Sequence, residues 1–322
     1  MSLPDNTYSL VADIGGTNTR VALADGRQLL TETVTRYRNA EFPGLETVLR
    51  KFLADHDDVD CKGACVAIAG PVKDGRGELT NLNWEIDETT ISRAAKADNV
   101  RLLNDLQAQG HSIGHLAHGS VTQLLEGHDS PPEATKLVIG VGTGFNIAPV
   151  FETPAGRLVT PSESGHANLP IRSEAELRLI RYFETAHGFP AVEDMLSGRG
   201  LERVYTWLCT EGGAPAEKNA QTIVADFESG SDPRAVEAAR MFVRMLGTVA
   251  GNLTLIQLPF GGVYFAGGVA RAFTPHFASL GFAEAFRDKG RFSGFMQNFS
   301  VHVIEDDYAA LTGCATCLMS GT

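Results

Sequence analysis

A short unit that occurs twice limits what this chain can fold into: an apolar strand, a turn with closely spaced glycines, and a second strand. The first copy runs from Tyr8 to Leu23, with its turn at Asp13-Ile14-Gly15-Gly16-Thr17-Asn18. The second copy runs from Leu137 to Val150, with its turn at Gly142-Thr143-Gly144. Internal repetition of this kind indicates one structural device that the fold uses twice.

Both glycine turns are candidate phosphate-binding sites. Glycine has no β-carbon to block close approach, so the backbone N–H groups of Gly15, Gly16 and Thr17 can converge on an anion. A single Gly-Gly step more often only turns a hairpin, and the second copy favours the phosphate interpretation. The pattern is neither a Walker loop nor a dinucleotide fingerprint, since both open a helix, whereas apolar residues and Pro149 follow the second turn.

Periodicity predicts several of the other elements. Residues Leu45, Val48, Leu49 and Phe52 have helical spacing, and the apolar run 64–69 predicts a strand buried on both faces. Helices are also predicted over 175–183 and 233–256, the second beginning with Asp232 as cap and Pro233 in the first turn. At 322 residues, two domains are expected.

Composition excludes some partners and compartments. A formal net charge of -12 disfavours nucleic acid as a partner, because binding the phosphate backbone needs an excess of Lys and Arg. The apolar region 246–269 is interrupted by Asn252, Gln257 and Pro259, so no membrane partner is expected. Five cysteines without regular spacing, and no secretory signal, favour a reducing, cytoplasmic location.

Asp105 is a candidate functional acid. Residues 100–103 predict a short strand that stops at Asn104-Asp105, and a helix is predicted from Leu106. Ligands of open α/β sheets bind at the carboxyl ends of the strands, so a carboxylate there is placed for function. The alternative is that Asp105 only caps the following helix.

Further polar and glycine-rich segments lie in the second half. Glu163 and His166 are three residues apart in a Ser/Gly-rich loop and could converge on one ligand, or the loop could simply be solvated. Gly267 and Gly268 follow a predicted strand over 262–266, where an adenine or ribose could lie against the backbone; close packing would also explain them. His111, His115 and His118 could line a helix as metal ligands, although nearby glycines disfavour a regular helix there.

In order and spacing, these segments resemble the bacterial glucokinases of the hexokinase and actin-like superfamily, over nearly the whole chain. The segments that carry the resemblance are Asp13-Ile14-Gly15-Gly16-Thr17-Asn18-Thr19-Arg20, Leu103-Asn104-Asp105, Gly142-Thr143-Gly144, Glu163-Ser164-Gly165-His166, Leu196-Ser197-Gly198, Ala266-Gly267-Gly268 and Asp288-Lys289-Gly290-Arg291-Phe292.

The resemblance implies an α/β fold of the actin-like (ribonuclease H-like) type, a two-domain sugar kinase with a cleft between the domains. The smaller domain would contain residues 1–115 plus 305–322 and the larger one residues 116–304. A homodimer that closes on sugar is also implied. No C-x-C-G pattern occurs, which favours the zinc-free branch, so no zinc is expected.

The resemblance also implies the site. Asp105 would be the catalytic base, ATP the phosphoryl donor and Mg²⁺ the metal, oriented through water by Asp13. Glucose would contact Asn104, Asp105, Glu163, His166 and Glu193. The nucleotide would contact Ala12, Asp13, Ile14, Gly15, Gly16, Thr17, Gly142, Thr143, Gly144, Gly267 and Gly268.

Three positions depart from the family pattern. Asn146, Ser162 and Ser164 stand where the family usually has glycine, beside the second glycine turn and beside Glu163. Asn146 could crowd the nucleotide or only reshape the turn. The two serines bear on sugar selectivity.

The predicted function is that of a glucokinase, which phosphorylates D-glucose to glucose 6-phosphate with ATP and feeds glycolysis. The alternatives are a kinase for another hexose, a non-catalytic sugar sensor of the same fold, and an actin-like assembly protein that binds ATP without sugar. Asp105 together with both glycine turns argues against the sensor. Glu163, His166 and Glu193 would have no reason to converge in the assembly protein.

Overall fold

The structure, a computed structural model, describes residues 7–79 and 82–320. These residues divide into two units by their internal contacts. The first unit contains residues up to Ser120, residues 152–161 and residues from Asp306 on, and the second contains residues 121–151 and 162–305. Residues 116–120 and 152–161, predicted for the larger domain, therefore group with the first unit.

The first unit is built on a mixed sheet whose central strands are parallel. The strands of this unit are β1 (Tyr8–Ile14), β2 (Asn18–Asp25), β3 (Gln28–Leu29), β4 (Thr35–Arg38), β5 (Gly63–Ile68), β6 (Val72–Lys73), β7 (Arg76–Leu79), β8 (Leu82–Asp87), β9 (Asn99–Asn104) and β13 (Gly156–Val159). The strand order of the mixed sheet is β3-β2-β1-β5-β9, with β4 paired to β2, and a separate antiparallel sheet has the order β6-β7-β8.

Helices cover both faces of the first mixed sheet. They are α1 (Leu45–Ala54), α2 (Glu88–Ala95), α3 (Asp105–Ser112) and α11 (Ala309–Met319). Leu10 of β1 belongs to the core formed with α1 and α2, whereas the next residue, Val11, belongs to the core formed with α3 and α11. Successive side chains of a strand point to opposite faces, so a central strand covered on both sides is apolar along most of its length.

The predicted helix α1 and strand β5 are confirmed. Leu45, Val48, Leu49 and Phe52 are buried along one side of α1, as their spacing predicted. Every residue of β5 is buried. The sheet core of the first unit is thus encoded by local sequence patterns.

The second unit contains another mixed sheet, with the order β10-β15-β14-β11-β12. The strands β11, β14 and β15 run parallel, and β12 returns antiparallel to β11 as the second hairpin predicted from the repeat. These strands are β10 (Val121–Leu125), β11 (Lys136–Val141), β12 (Phe145–Thr153), β14 (Val263–Ala266) and β15 (Val301–Ile304).

Helices of the second unit share one apolar core with this sheet. They are α4 (Glu174–His187), α5 (Val192–Met195), α6 (Gly198–Glu211), α7 (Ala220–Ser229), α8 (Pro233–Gln257), α9 (Gly268–Phe273) and α10 (Phe282–Arg287). The predicted start of α8 is confirmed, because Asp232 caps it by accepting a 2.9 Å hydrogen bond from the Arg234 N–H, with Pro233 in the first turn. Among the described residues, no helix combines the length and the apolar character needed to cross a membrane.

Candidate active site

Two acidic residues lie at one edge of the sheet of the first unit. Strands β1, β5 and β9 are parallel, and their register aligns Asp13 with Ala67 and Ile68 with Asn104. The carboxyl ends of these strands therefore meet at the same edge. Asp13 is the penultimate residue of β1, and Asp105 follows directly after β9. The predicted position of Asp105 at a strand's carboxyl end is confirmed.

The cap of α3 is Asn104, so the interpretation of Asp105 as the helix cap is wrong. The Asn104 side-chain oxygen accepts a 3.0 Å hydrogen bond from the Leu106 N–H, and its Nδ2 donates to the Gly70 carbonyl at 2.9 Å. Gln107 completes the capping box by accepting from the Asn104 N–H at 3.1 Å. Asp105 occupies the first helical position and is available for a different role.

The environment of Asp105 keeps its proton affinity high. Burial is the main cause, and the nearby Asp13 carboxylate adds to it, so that the pKa of Asp105 is raised to about 6. Burial also raises the pKa of Asp13, while the Arg20 guanidinium, 3.7 Å away, acts in the opposite direction. This pair of carboxyl groups has the perturbed proton affinity that is typical of catalytic sites.

The first glycine turn joins β1 to β2, and one of its amides forms a hydrogen bond within the turn. The Gly15 N–H donates to the Asn18 carbonyl at 3.0 Å, so the expectation that three amides point at one anion is wrong for Gly15. Within the described residues, the amides of Gly16 and Thr17 take part in no hydrogen bond. These two amides are the donors that the turn can offer to a phosphate.

A buried side chain that the sequence did not reveal supports this turn. Asn39 donates from Nδ2 to the Gly15 carbonyl at 2.8 Å and accepts a 2.8 Å hydrogen bond from the Thr19 hydroxyl. The Asn39 N–H also donates to the Thr17 carbonyl at 2.9 Å. Ala12 and Ile14, predicted to contact nucleotide, are fully buried apolar residues of β1, so only their backbone could approach a ligand.

In the second unit, three glycine-containing segments meet. The Gly142 N–H donates to the Gly144 carbonyl within the turn, and the Gly198 N–H donates to the Gly142 carbonyl, both at 2.9 Å. Gly267 has a φ of 103°, and a β-carbon there would lie 2.5 Å from the Val141 carbonyl oxygen, so only glycine fits. The structure therefore brings the Gly267-Gly268 pair beside the second turn. Gly198, at the start of α6, joins them although it was not among the predicted contacts.

Glu193 contacts the second glycine turn. Its Oε2 accepts a 3.0 Å hydrogen bond from the Phe145 N–H, and its Oε1 lies 3.8 Å from the Arg199 guanidinium. A β-carbon at Gly144 would lie 2.5 Å from the same Oε2, so glycine lets the carboxylate approach the turn. Glu193 was predicted to contact sugar, and it also supports the turn assigned to the nucleotide.

Glu163 and His166 are neighbours on an exposed loop. Residues Ser164–His166 form a short 3₁₀ helix, and the Glu163 Oε2 lies 3.6 Å from the His166 Nδ1. Their side chains are 68% and 70% exposed, so both can reach a ligand.

The three histidines considered as metal ligands do not lie on one helix. Helix α3 ends at Ser112, so it contains His111 but neither His115 nor His118. The described residues also contain no group of three or more His, Cys, Asp or Glu side chains that could hold a metal.

The family model for glucokinase matches residues 10–321 of this sequence. The chain belongs to the glucokinase family. A glucokinase from Saccharophagus degradans is 33% identical over 313 residues, which cover 96% of this chain and 97% of that protein. The family resemblance is thus confirmed.

Solved structures of glucokinases share the fold. A glucokinase from an Antarctic psychrotroph has a TM-score of 0.86 and 26% identity, covering 97% of this chain and 98% of that chain. A ROK family glucokinase from Streptomyces griseus, in complex with glucose and AMPPNP, has a TM-score of 0.62 and 18% identity, covering 96% and 98%. The predicted α/β fold of the actin-like sugar kinases is confirmed.

Proposed function

We propose that this protein transfers the γ-phosphoryl group of ATP to D-glucose and releases glucose 6-phosphate and ADP. The observation that carries the proposal is the match to the glucokinase family over residues 10–321. The position of Asp105 at the carboxyl edge of its sheet supports the catalytic assignment.

Asp105 acts as the general base in this proposal. Its carboxylate accepts the proton of the glucose 6-hydroxyl while the oxygen attacks the γ-phosphorus, and the bond to the leaving ADP breaks. With a pKa of about 6, Asp105 is mostly ionised at pH 7 and still basic enough to take a proton. General base assistance contributes roughly 10²–10⁴-fold to such a reaction.

The two glycine turns bind the phosphates. The amides of Gly16 and Thr17 supply donors in the first unit. In the second, the Gly142 N–H already donates to the Gly144 carbonyl, so Thr143 and Gly144 supply the donors of that turn. Backbone donors held in place before reaction stabilise charge as it develops on the transferred group. Gly267 and Gly268 offer a flat surface to the nucleoside, and AMPPNP in the Streptomyces griseus relative supports ATP as the donor.

Mg²⁺ fits the acidic residues of the first unit. Asp13 and Asp105 bring two carboxyl groups to the same edge of the sheet, and the charge of Asp13 adds to the effect of burial in raising the pKa of Asp105, so a cation bound there would be favoured. Mg²⁺ usually keeps several waters and takes one or two carboxylates plus substrate phosphates, so a site with few protein ligands suits it. Asp13 would hold the hydrated ion, which neutralises charge on the β- and γ-phosphates when bound.

Sugar recognition falls to Asn104, Glu163, His166 and Glu193, together with Asp105. Carboxylates and an imidazole offer hydrogen bonds to hydroxyl groups that would be costly to leave unpaired. One N–H of the Asn104 amide is committed to Gly70, and the other can donate to a sugar hydroxyl. A site built to form hydrogen bonds with sugar hydroxyls strongly rejects analogues that lack those hydroxyls.

A reducing cytoplasmic compartment and a homodimer complete the proposal. All five cysteines are free thiols, which supports the compartment. The dimer rests on the family resemblance, and light scattering coupled to size-exclusion chromatography tests it. A mass of one chain, 34.5 kDa, at assay concentration would contradict the dimer.

The decisive experiment measures ADP release by the purified protein with glucose, mannose, fructose and glucosamine. We expect turnover with glucose that requires both ATP and Mg²⁺. Preference for another sugar would make the protein a different hexose kinase. Glucose binding in calorimetry without ADP release would identify a sugar sensor and contradict the proposal.

A further inference from the structure

The three positions that depart from the family's glycines form one hydrogen-bonded cluster. Asn146 is the second residue of β12, and its Oδ1 accepts hydrogen bonds from the Ile147 N–H at 2.9 Å and the Ser164 N–H at 3.0 Å. The Ser164 hydroxyl lies 3.3 Å from the same oxygen. Two backbone donors on one side identify that side as the oxygen, so the Asn146 amino group must point the other way.

The amino group of Asn146 reaches the loop that carries Glu163. Its Nδ2 donates to the Ser162 carbonyl and lies 3.4 Å from the Glu163 Oε2. The Ser162 hydroxyl in turn accepts a 3.0 Å hydrogen bond from the Ser164 N–H. Residues 162–164 are therefore tied to β12 through one side chain, and Glu163 lies in the middle of the tied segment.

Glycines at these positions could make none of the side-chain contacts. Glu163 is largely exposed, and among the described residues its carboxylate has close polar contacts with Asn146 and with His166 only. An exposed glutamate on a glycine-rich loop would sample many conformations, and fixing it on a ligand costs conformational entropy. The cluster removes part of that cost before the ligand arrives.

We propose that Asn146 is a positioning residue that orients the Glu163 carboxylate for the sugar, and that Ser162 and Ser164 hold the loop in register with it. The inference rests on the proposed function, since it takes Glu163 as a sugar contact. Asn146 contacts neither reacting atom, so we expect substitutions of Asn146 to change the KM for sugar. The kcat value should change little.

The test compares Asn146→Asp in two backgrounds. The introduced carboxylate keeps the acceptor for Ile147 and Ser164 but faces the Glu163 carboxylate, and like charges at that separation repel. Glucose is uncharged, so the new charge does not repel it directly. We expect the KM for glucose to rise about 10-fold or more, the effect of losing a hydrogen bond to a charged group.

The second background is Glu163→Gln, which removes the repulsion and supplies an amide donor to the introduced carboxylate. The hydrogen bond to the Ser162 carbonyl is lost in both backgrounds, so Asn146→Asp should still raise the KM for glucose there, but clearly less than in the wild-type background, because positions 146 and 163 are coupled. Asn219→Asp is the matched control: it makes the same chemical change at the cap of α7, where aspartate serves as well as asparagine. It should leave the KM for glucose unchanged.

Equal effects of Asn146→Asp in both backgrounds, or no effect in either, would overturn the inference. If Asn146→Asp does not fold, Asn146→Gly tests the positioning role by removing the side chain: the KM for glucose should rise while kcat stays within about 2-fold, as expected for loss of an indirect contact. A wild-type protein without turnover would contradict the proposed function alone. In that case the affinity of each variant for glucose is measured by calorimetry instead. An equal effect of Asn146→Asp on glucose affinity in both backgrounds, or no glucose binding at all, would overturn the positioning role.

Discussion

Asp13 and Asp105 lie at the ends of two parallel strands, where burial and the charge of Asp13 together raise the pKa of Asp105 to about 6. The Leu106 N–H donates to the Asp105 Oδ1 at 2.9 Å and favours the ionised form, which limits the shift. A base poised in this way is ionised at neutral pH and remains basic enough for proton abstraction.

The first prediction concerns turnover by Asp105→Asn. The substitution keeps an acceptor for the Leu106 N–H and the shape of the side chain, but it removes the base. We expect kcat to fall at least about 10²-fold while glucose affinity by calorimetry stays within a few-fold. Near-normal turnover would remove Asp105 from the catalytic role.

The second prediction concerns the pH dependence of kcat/KM for glucose. Below about pH 6, Asp105 is protonated and cannot accept the hydroxyl proton, so kcat/KM should fall about tenfold per pH unit. Asp13→Asn removes a negative neighbour, so the acidic limb of its residual activity should move to lower pH. A wild-type profile that stays flat down to pH 5 would contradict the assignment.

The third prediction concerns stability. The pKa of Asp105 is raised on folding from 3.8 to about 6, so its stabilising contribution is complete below about pH 4 and is lost as the pH rises through 6. At pH 7 the ionised side chain lowers the free energy of unfolding by up to about 3 kcal/mol. Asp105→Asn should therefore raise the Tm at pH 7, and the difference should vanish near pH 4.

Asp87→Ala, which removes both the charge and the cap, is a control of opposite sign for the stability experiment. A hydrogen bond from the Thr90 N–H lowers the pKa of Asp87, the cap of α2, so its charged form stabilises the fold above the unfolded pKa. This variant should lower the Tm at pH 7. A lower Tm for Asp105→Asn at that pH would show that the carboxylate is not destabilising in the folded state.

Local sequence patterns were enough to predict much of the fold. The apolar run of β5, the helical spacing in α1 and the Asp232-Pro233 start of α8 each depend on residues that are close in sequence. The position of Asp105 was predictable for the same reason, because the strand ends at the preceding residue. Periodicity and capping report such features directly.

Contacts between distant residues were not predictable in this way. The Asn39 side chain donates a hydrogen bond to the Gly15 carbonyl, 24 residues away in the sequence. The residues next to Asn39 in the sequence do not indicate that it supports the first turn. Asn146, Ser162 and Ser164 were recognised one by one as departures from glycine, but Asn146 and Ser164 are 18 residues apart and their pairing needs the fold. The same applies to Glu193, whose bond to Phe145 spans 48 residues.

The fourth prediction concerns Asn39→Ala. It leaves the Gly15 carbonyl and the buried Thr19 hydroxyl without their partner, at a cost of about 1–3 kcal/mol in the free energy of unfolding. Because the first turn loses its support, the KM for ATP should rise more than the KM for glucose. Urea denaturation and initial rates measure the two effects, and an unchanged KM for ATP would separate Asn39 from the nucleotide site.

The last prediction separates two roles of Glu193. Its carboxylate accepts from the Phe145 N–H beside the second glycine turn, so Glu193→Ala should loosen that turn and raise the KM for ATP, by about 10-fold for a lost charged hydrogen bond. Glu193→Gln keeps an acceptor for Phe145 and should raise it much less. If Glu193 contacts only sugar, both variants will raise the KM for glucose and leave the KM for ATP unchanged. Initial rates at varied ATP and saturating glucose distinguish these outcomes, because a support for the turn and a contact to sugar alter different Michaelis constants.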